Sequence, residues 1–274
     1  MPAPWVIVGC GYTGSRLARR LVAAAAEVTI TVRDAARAAE LGAELGARGA
    51  RADFDDPSSW HGLIPAGAIV ACLAPPGLDP VGGMRLALAT AERAARFIYV
   101  SSTGVYAAGA GQWVDEQWPI APTTPAGAAR FAAEAVVTES VLSTVVLRAA
   151  GIYGPGRGLA ERIAAGTYRI VGDGRSHVSR IHVDDLVEVI VRAGASEVTG
   201  PINVADDDPA PIGEVADAIA ASLGMPLPPR VAPDSVSPEI AGMLMADRKV
   251  ANHRMKQTLG LALRYPSWRA VLAR

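Results

Sequence analysis

Apolar and polar positions follow two different periods along the first 150 residues of this chain. Short, nearly continuous apolar runs predict strands, whereas longer Ala-, Leu- and Arg-rich segments with apolar positions three or four residues apart predict helices. The predicted strands are 5–9, 28–32, 50–53, 68–74, 97–102 and 144–149. The predicted helices are 13–26, 35–46, 81–95 and 127–141.

This alternation of strands and helices predicts a parallel sheet with right-handed crossovers, because parallel neighbours need a crossover that a helix usually supplies. The strands are apolar along almost their whole length, which is typical of strands covered by helices on both faces. The predicted fold class is therefore α/β, with a Rossmann-type doubly wound parallel sheet.

After Tyr153 the pattern loosens and Gly and Pro become more frequent. Helices at 184–194 and 212–223 and a strand at 201–205 remain recognisable, and a last helix is predicted over 238–259, with Ser237 as its cap and Pro238 as its first residue. We expect a Rossmann domain over 1–155 and a small C-terminal α+β substrate lobe over 156–274. Within that lobe, 177–205 is expected to fold back onto the Rossmann sheet.

Composition excludes several function classes. The net charge is −1 and no basic block is present, so nucleic acid is not an expected partner. No apolar run approaches the roughly 20 residues of a membrane span, and no signal peptide is recognisable, which predicts a cytoplasmic protein with no membrane contact. The four histidines and two cysteines lack metal-ligand spacing, so no metal site is expected.

A glycine motif follows the first predicted strand and opens the first predicted helix. Gly9 suits a tight turn, Gly11 lets the backbone approach a pyrophosphate, and Gly14 allows close helix–strand packing. Tyr12 and Thr13 complete the first helical turn, where free N–H groups and the helix dipole favour phosphate. The motif predicts a dinucleotide site.

The second strand ends about 18 residues after Gly14, near the position whose side chain contacts the adenosine ribose in dinucleotide-binding proteins. An Asp there would accept from the ribose hydroxyls of NAD, whereas an Arg would bind the 2′-phosphate of NADP. Arg33 comes first, before Asp34, and Arg37 lies one helical turn on. This order favours NADP, with NAD as the alternative. Both arginines could instead be solvated residues of a helix start.

Further cofactor candidates lie where other strands end, because ligands of open α/β sheets bind at the carboxyl ends of the strands. Asp53 could accept from the adenine amino group, or it could be the first member of an acidic turn. The remaining candidates are Phe54, Ala74, Pro75, Ser101 and Gly151.

Four segments resemble those of a known family. They are FIYVSSTGVY at 97–106, LR at 147–148 followed by YGPG at 153–156, IHVDDL at 181–186, and INV at 202–204. In this order they resemble the extended short-chain dehydrogenase/reductases, the NAD(P)-dependent epimerase/dehydratase family. The resemblance implies the Rossmann fold, a nicotinamide cofactor and a homodimer.

The resemblance also implies a catalytic set from which this sequence departs. In the family a Tyr acts as acid and base, a Lys four residues later lowers its pKa, and a Ser or Thr orients the substrate oxygen. Ser102 matches the Ser or Thr, but Ala126 stands in the place of the Tyr and Arg130 in the place of the Lys. An Arg can hold a hydroxyl or a phosphate, but it does not transfer a proton at working pH.

The substrate positions differ as well. The residues that hold the diphosphate of sugar nucleotides in the family correspond here to Gly151 and Val178, so a smaller substrate is expected. We hypothesise that Ser102, with Tyr106 or Tyr153, polarises a carbonyl that NADPH reduces. Alternatively, both tyrosines are loop anchors whose hydroxyls are satisfied locally.

Three functions remain open from the sequence. The favoured one is an NADP-dependent oxidoreductase for a small substrate that is not a sugar nucleotide, with altered catalytic residues. The second is a regulatory protein that senses NADP(H) without catalysis. The third is an epimerase or dehydratase, which the substitutions at Ala126 and Arg130 disfavour.

Overall fold

The computed structural model describes residues 3–272. A seven-stranded sheet forms its centre, and the strands lie in the order β7-β6-β5-β4-β1-β2-β3. The pairs of β1 with β2 and β4, of β2 with β3 and of β4 with β5 are parallel. The strands are β1 (Trp5–Val8), β2 (Val28–Val32), β3 (Arg48–Arg51), β4 (Ile69–Cys72), β5 (Arg96–Ser102), β6 (Thr144–Ala149) and β7 (Gly200–Val204). This confirms the Rossmann-type α/β prediction.

The helices connect these strands and continue beyond them. They are α1 (Tyr12–Ala23), α2 (Ala35–Leu45), α3 (Pro80–Thr90), α4 (Pro125–Thr138), α5 (Leu159–Ala164), α6 (Val183–Gly194), α7 (Ile212–Ser222), α8 (Pro238–Leu244), α9 (His253–Leu259) and α10 (Arg269–Leu272). Most predicted bounds differ from these by a few residues at most. Within residues 3–272, none of the helices combines the length and the apolar character that crossing a membrane requires.

Contacts divide the chain into two compact units. The first unit comprises the residues before Ser102 together with Ala129–Arg148 and Val187–Ile202, and the second comprises Ser102–Ala128, Ala149–Leu186 and the residues from Asn203 onwards. The chain passes between the two units several times. The expected domains, 1–155 and 156–274 with 177–205 folding back onto the Rossmann sheet, stay a prediction. Each unit has its own apolar core.

Short strand pairs organise the second unit. Gly151–Tyr153 pairs in parallel with Arg180–His182, and His177–Val178 pairs antiparallel with Ala210–Pro211. Two further pairs are parallel and join Ile170–Val171 to Arg230–Val231 and Trp113–Val114 to Lys249–Val250.

The prediction of one long helix over 238–259 is wrong. Ser237 does cap α8, since its Oγ accepts from the Ile240 N–H, but that helix ends at Leu244. Asp247 then adopts a positive φ of 46°, a conformation that helices do not contain. Lys249 and Val250 pair with Trp113 and Val114, so the segment between α8 and α9 forms strand hydrogen bonds where the prediction had a helix. A new helix, α9, begins at His253.

A buried ion pair links a helix to the sheet in the first unit. Nη2 of Arg148, on β6, donates to Oε2 of Glu134, on α4, at 2.7 Å, and the Arg148 Nε donates to the same oxygen at 3.1 Å. Both side chains are buried, so each charge depends on the other for solvation.

Candidate functional site

The turn between β1 and α1 requires glycine at two positions. Gly9 has a φ of +91°, and a Cβ there would lie 2.6 Å from the Ala74 nitrogen. A Cβ at Gly14 would lie 2.8 Å from the carbonyl oxygen of Gly9. A side chain at either position would collide with backbone. The positive φ of Gly9 suits a tight turn, and the short distance at Gly14 reflects close packing of the helix start.

Gly11 has a different role, because a Cβ at this position would meet no atom within 4 Å. It is the N-cap residue of α1, and within the described part of the chain no side chain caps this helix end. An exposed, uncapped helix start beside open space is suited to a phosphate group. We refer to the turn formed by Gly9, Gly11 and Gly14 as the glycine cradle. The glycine cradle fits a pyrophosphate.

Arg16 is a residue that sequence reasoning missed. Its guanidinium lies 3.8 Å from the centre of the Tyr12 ring, and its Nη1 donates to the Tyr12 carbonyl at 3.1 Å. These contacts fix Tyr12 at the first turn of α1 and bring a positive charge close to the same helix end. In the sequence, Arg16 stands four residues after Tyr12, and side chains at this spacing are neighbours on a helix, so this contact had a sequence signal.

The arginine candidates at the end of β2 have different environments. Oδ1 of Asp34 accepts from the Arg37 N–H at 2.7 Å and thereby caps α2, so this carboxylate is engaged. Nη1 of Arg37 lies 3.3 Å from Oε2 of Glu40. Arg33 is exposed, and its guanidinium has neither a hydrogen bond nor an ion pair among residues 3–272. Arg33 is thus the available cation here.

Asp53 and Phe54 lie in a turn after β3. Oδ1 of Asp53 accepts from the Asp55 N–H at 3.1 Å, and its Oδ2 lies 3.8 Å from Nη2 of Arg51. The Phe54 ring packs against Trp60 with 5.2 Å between ring centres. These contacts favour the acidic-turn interpretation of Asp53, while its contact with adenine stays a prediction.

The ends of β4 and β5 carry the remaining candidates of the first unit. Ala74 donates its N–H to the Val8 carbonyl at 3.0 Å and is followed by the exposed Pro75. Ser101 is buried, and its Oγ has no partner within the described range. Nη1 of Arg130 donates to the carbonyl of Val100, the residue before Ser101, at 3.1 Å. Arg130 is therefore held at the carboxyl end of β5.

In the second unit, Ser102 is the last residue of β5, and Tyr106 lies four residues later, after a short 3-10 helix. Oγ of Ser102 accepts from the Gly104 N–H at 3.0 Å, which caps a short 3-10 helix at Thr103–Val105. Tyr106 is fully buried, and its hydroxyl donates to Oδ1 of Asn203 at 2.7 Å. This supports the anchoring interpretation of Tyr106.

Tyr153 differs from Tyr106 because its buried hydroxyl has no hydrogen-bond partner among the described residues. Its ring packs edge-to-face on His182, with 5.2 Å between ring centres, and His182 stacks on Tyr265 at 3.7 Å. Burial raises the pKa of Tyr153, so its hydroxyl keeps its proton at neutral pH. Gly151, two residues earlier, pairs with Arg180 on the neighbouring strand.

Ala126, the residue in the place of the family's Tyr, is exposed on the first turn of α4. The helix start is stabilised nearby, since Oγ1 of Thr124 accepts from the Gly127 N–H at 3.0 Å. No proton-carrying group stands at position 126 itself.

Comparison with known proteins identifies the family. The sequence profile of the NAD dependent epimerase/dehydratase family matches residues 5–205. The chain belongs to this family. The match covers the whole central sheet and much of the second unit. Family membership and the glycine cradle support a nicotinamide dinucleotide as the cofactor.

Three relatives show how far the similarity extends. A 3-diazoavenalumate denitrifying reductase from a Streptomyces species is 38% identical over 152 residues, which are 52% of this chain and 50% of that protein. The alignment thus spans half the length of this relative. A functionally unknown conserved protein from Silicibacter pomeroyi is 30% identical with a TM-score of 0.85, over 99% of this chain and 97% of that one. Human epimerase family protein SDR39U1, solved with NADPH, is 20% identical with a TM-score of 0.79, over 98% and 97% of the two chains, and shows the shared fold.

Proposed function

We propose that this protein is an NADP(H)-dependent reductase of a small substrate that is not a sugar nucleotide. The observation that carries the choice of NADP is the environment at the end of β2. The Arg33 guanidinium is exposed and without a partner among residues 3–272, whereas the Asp34 carboxylate caps α2. A 2′-phosphate needs a free cation, and a ribose hydroxyl pair needs a free carboxylate. The relative from Streptomyces that is 38% identical is also a reductase.

The first unit supplies the groups that hold this cofactor. The uncapped start of α1 beside Gly11 would bind the pyrophosphate, and Arg33 the 2′-phosphate. Arg130, held by the Val100 carbonyl, would bind hydroxyls near the carboxyl end of β5, and the unpartnered Ser101 Oγ lies at the same end. When bound, NADPH supplies a hydride.

The second unit supplies the groups for the substrate. We assign Ser102 to the substrate oxygen, because its hydroxyl can donate while it caps the Thr103–Val105 turn as an acceptor. Tyr153 is a second donor, since its hydroxyl is unpartnered within residues 3–272 and stays protonated. Tyr106 is assigned no catalytic role because its proton is committed to Asn203.

One observation favours a second candidate function. Ala126 carries no proton, and loss of a general acid typically costs a factor of about 10² to 10⁴ in rate. A protein that binds NADP(H) and regulates a partner without catalysis would tolerate this alanine.

Calorimetric titration with NADPH and with NADH tests the proposal. We expect NADPH to bind at least about tenfold more tightly than NADH. Turnover of NADPH with a panel of small carbonyl compounds then separates the reductase from the sensor, and Ser102→Ala and Tyr153→Phe identify the donors. Tight binding without turnover of any substrate supports the sensor, and equal affinity for the two cofactors contradicts the assignment of NADP. The resemblance also supports a cytoplasmic homodimer, which light scattering and cell fractionation test.

A further inference from the structure

Three polar side chains of the second unit have hydrogen-bonding atoms without a partner within the described residues, although Oδ1 of Asp206 accepts from the Asp208 N–H at 3.3 Å. Asp206 is 1% exposed, and its buried Oδ2 has no partner. The buried hydroxyl of Tyr153 has none either. Arg180 is half-buried, and its guanidinium forms no hydrogen bond and no ion pair in residues 3–272. Buried polar groups are almost always paired, so the two unpaired buried oxygens beside a half-buried guanidinium indicate that a partner outside the chain completes them.

The backbone brings these three residues together. The N–H of Asp206 donates to the Arg180 carbonyl at 2.6 Å. Arg180 begins the short strand that pairs with Gly151–Tyr153, and His182, at the end of that strand, packs on the Tyr153 ring. Both Asp206 and Arg180 influence the pKa of the Tyr153 hydroxyl, so the side chains lie within electrostatic range of one another. We refer to Arg180, Asp206 and Tyr153 as the Arg180 cluster.

The charges of the Arg180 cluster define what it can bind. Burial raises the pKa of Asp206 to about 8, so at pH 7 this side chain carries a proton and can donate it in a hydrogen bond. Burial lowers the pKa of Arg180, yet a guanidinium remains charged at working pH. The cluster therefore has one positive charge and hydrogen-bond donors on all three side chains. A carboxylate matches this set, since it has one negative charge and two acceptor oxygens in the planar geometry that a guanidinium binds.

We propose that the Arg180 cluster binds a carboxylate group of the substrate, with donors from Arg180, Asp206 and Tyr153. This gives Tyr153 a role in substrate binding. Only the identification of the ligand as the substrate rests on the proposed reductase function. The binding of a carboxylate to the Arg180 cluster is inferred from the unpaired groups of the cluster and does not depend on the reductase function.

Titration of the 274-residue chain with benzoate, benzamide and inorganic phosphate tests the site. Benzoate is the probe, benzamide removes the charge while keeping the shape, and phosphate presents a second kind of anion. We expect benzoate to bind at least about tenfold more tightly than either of the others. Equal binding of benzamide and benzoate would overturn the proposal and indicate a site for an ordered water or a neutral group.

Variants test whether benzoate binds at the Arg180 cluster. Arg180→Gln should weaken benzoate binding by about tenfold or more, and Arg180→Lys, which keeps the charge without the planar fork, should give an intermediate loss. Asp206→Asn should change the dissociation constant of benzoate by less than about threefold, because the amide of asparagine still donates a hydrogen bond. Arg175→Gln is the matched control, since Arg175 lies five positions away with a side chain that is 90% exposed, and it should have no effect. Equal losses in Arg175→Gln and Arg180→Gln would mean non-specific attraction of anions and would overturn the proposal.

NADPH titration of the same variants separates this proposal from the reductase function. We expect Arg180→Gln to leave the dissociation constant of NADPH within about twofold of the unmodified protein. If the protein binds benzoate through Arg180 but does not bind NADPH, the reductase function fails and the carboxylate site stands. If it binds and oxidises NADPH but shows no affinity for benzoate, the carboxylate site fails alone. Circular dichroism of each variant excludes unfolding as the cause of a loss.

Discussion

The hydroxyl of Tyr106 donates to Oδ1 of Asn203 at 2.7 Å, and both side chains are fully buried. The same Asn203 donates its Nδ2 to the carbonyl of Val114, and its N–H donates to Oε1 of Glu116. Tyr106 thus joins the loop after β5 to the end of β7 through one polar network. A tyrosine in this position stabilises the fold of the second unit.

Replacing Tyr106 by phenylalanine should therefore lower stability without removing activity. Oδ1 of Asn203 would stay buried without its donor, which costs about 1 to 3 kcal/mol in the free energy of unfolding. Urea denaturation measures this loss. The double variant Tyr106→Phe/Asn203→Leu should lose less than the sum of the single changes, because both partners of the hydrogen bond between the Tyr106 hydroxyl and Asn203 Oδ1 are then removed together. A fall in turnover with unchanged stability would instead assign Tyr106 a catalytic role.

Alanine at two glycines of the β1–α1 turn should separate stability from cofactor binding. Gly14→Ala places a Cβ 2.8 Å from the Gly9 carbonyl oxygen, so the backbone must shift and the melting temperature should fall. Gly11→Ala meets no atom within 4 Å, and the fold should remain intact. Its methyl group would occupy the space for the pyrophosphate, and the dissociation constant of NADPH should rise by about tenfold or more. Differential scanning fluorimetry and calorimetry measure the two effects, and unchanged NADPH affinity in Gly11→Ala would place the phosphates elsewhere.

Removal of the Arg33 charge should affect NADPH alone. A charge-assisted hydrogen bond contributes about 1.5 to 3 kcal/mol, so Arg33→Gln should weaken NADPH binding by about 10- to 100-fold and leave NADH binding unchanged. Arg37→Gln should have a smaller effect, because Arg37 already interacts with Glu40 at 3.3 Å. Parallel titrations with both cofactors provide the measurement. Equal weakening of both cofactors would argue against a 2′-phosphate contact at Arg33.

Stability should depend on pH through Asp206. Desolvation raises the pKa of Asp206 to about 8 in the folded protein. The Asp208 N–H and the charge of Arg180 lower this pKa, and the charges of Asp208 and Asp207 raise it. An unfolded aspartate has a pKa of about 3.9, so between these values the native state holds one proton more than the unfolded state. The Asp206 contribution to stability is therefore complete below about pH 4 and is lost as pH rises towards 8, by at most about 1.4 kcal/mol per pH unit.

Urea unfolding between pH 5 and 8.5 tests this dependence when Asp206→Asn is compared with the unmodified chain. The asparagine variant should lose the downward slope, and its stability relative to the unmodified protein should increase with pH. Parallel curves for the two proteins would show that Asp206 ionises normally. Asp234→Asn, an exposed change in the same unit, serves as the control.

The sequence determined the central sheet and the glycine cradle without help from the tertiary structure. Apolar periodicity is a local property, and it located β1, β2 and β6 closely because buried strands of a parallel sheet must be apolar throughout. The role of Gly14 is equally local, since a Cβ there would meet the Gly9 carbonyl oxygen of the same turn, whereas the contact that excludes a side chain at Gly9 is with the distant Ala74. The last helix was misjudged because the pairing of Lys249 and Val250 with Trp113 and Val114 involves residues far apart in the chain.

The tertiary structure decided which of the matching side chains are available for chemistry. Tyr106 and Tyr153 look alike in the sequence, yet one hydroxyl bonds to a residue 97 positions away and the other is left unpaired among the described residues. Arg180 and Asp206 carried no sequence signal, because only folding brings the Asp206 N–H to the Arg180 carbonyl and removes the water that would otherwise solvate the Asp206 carboxyl group. Burial and remote hydrogen-bond partners are properties of the packed chain, so local sequence patterns could not reveal them.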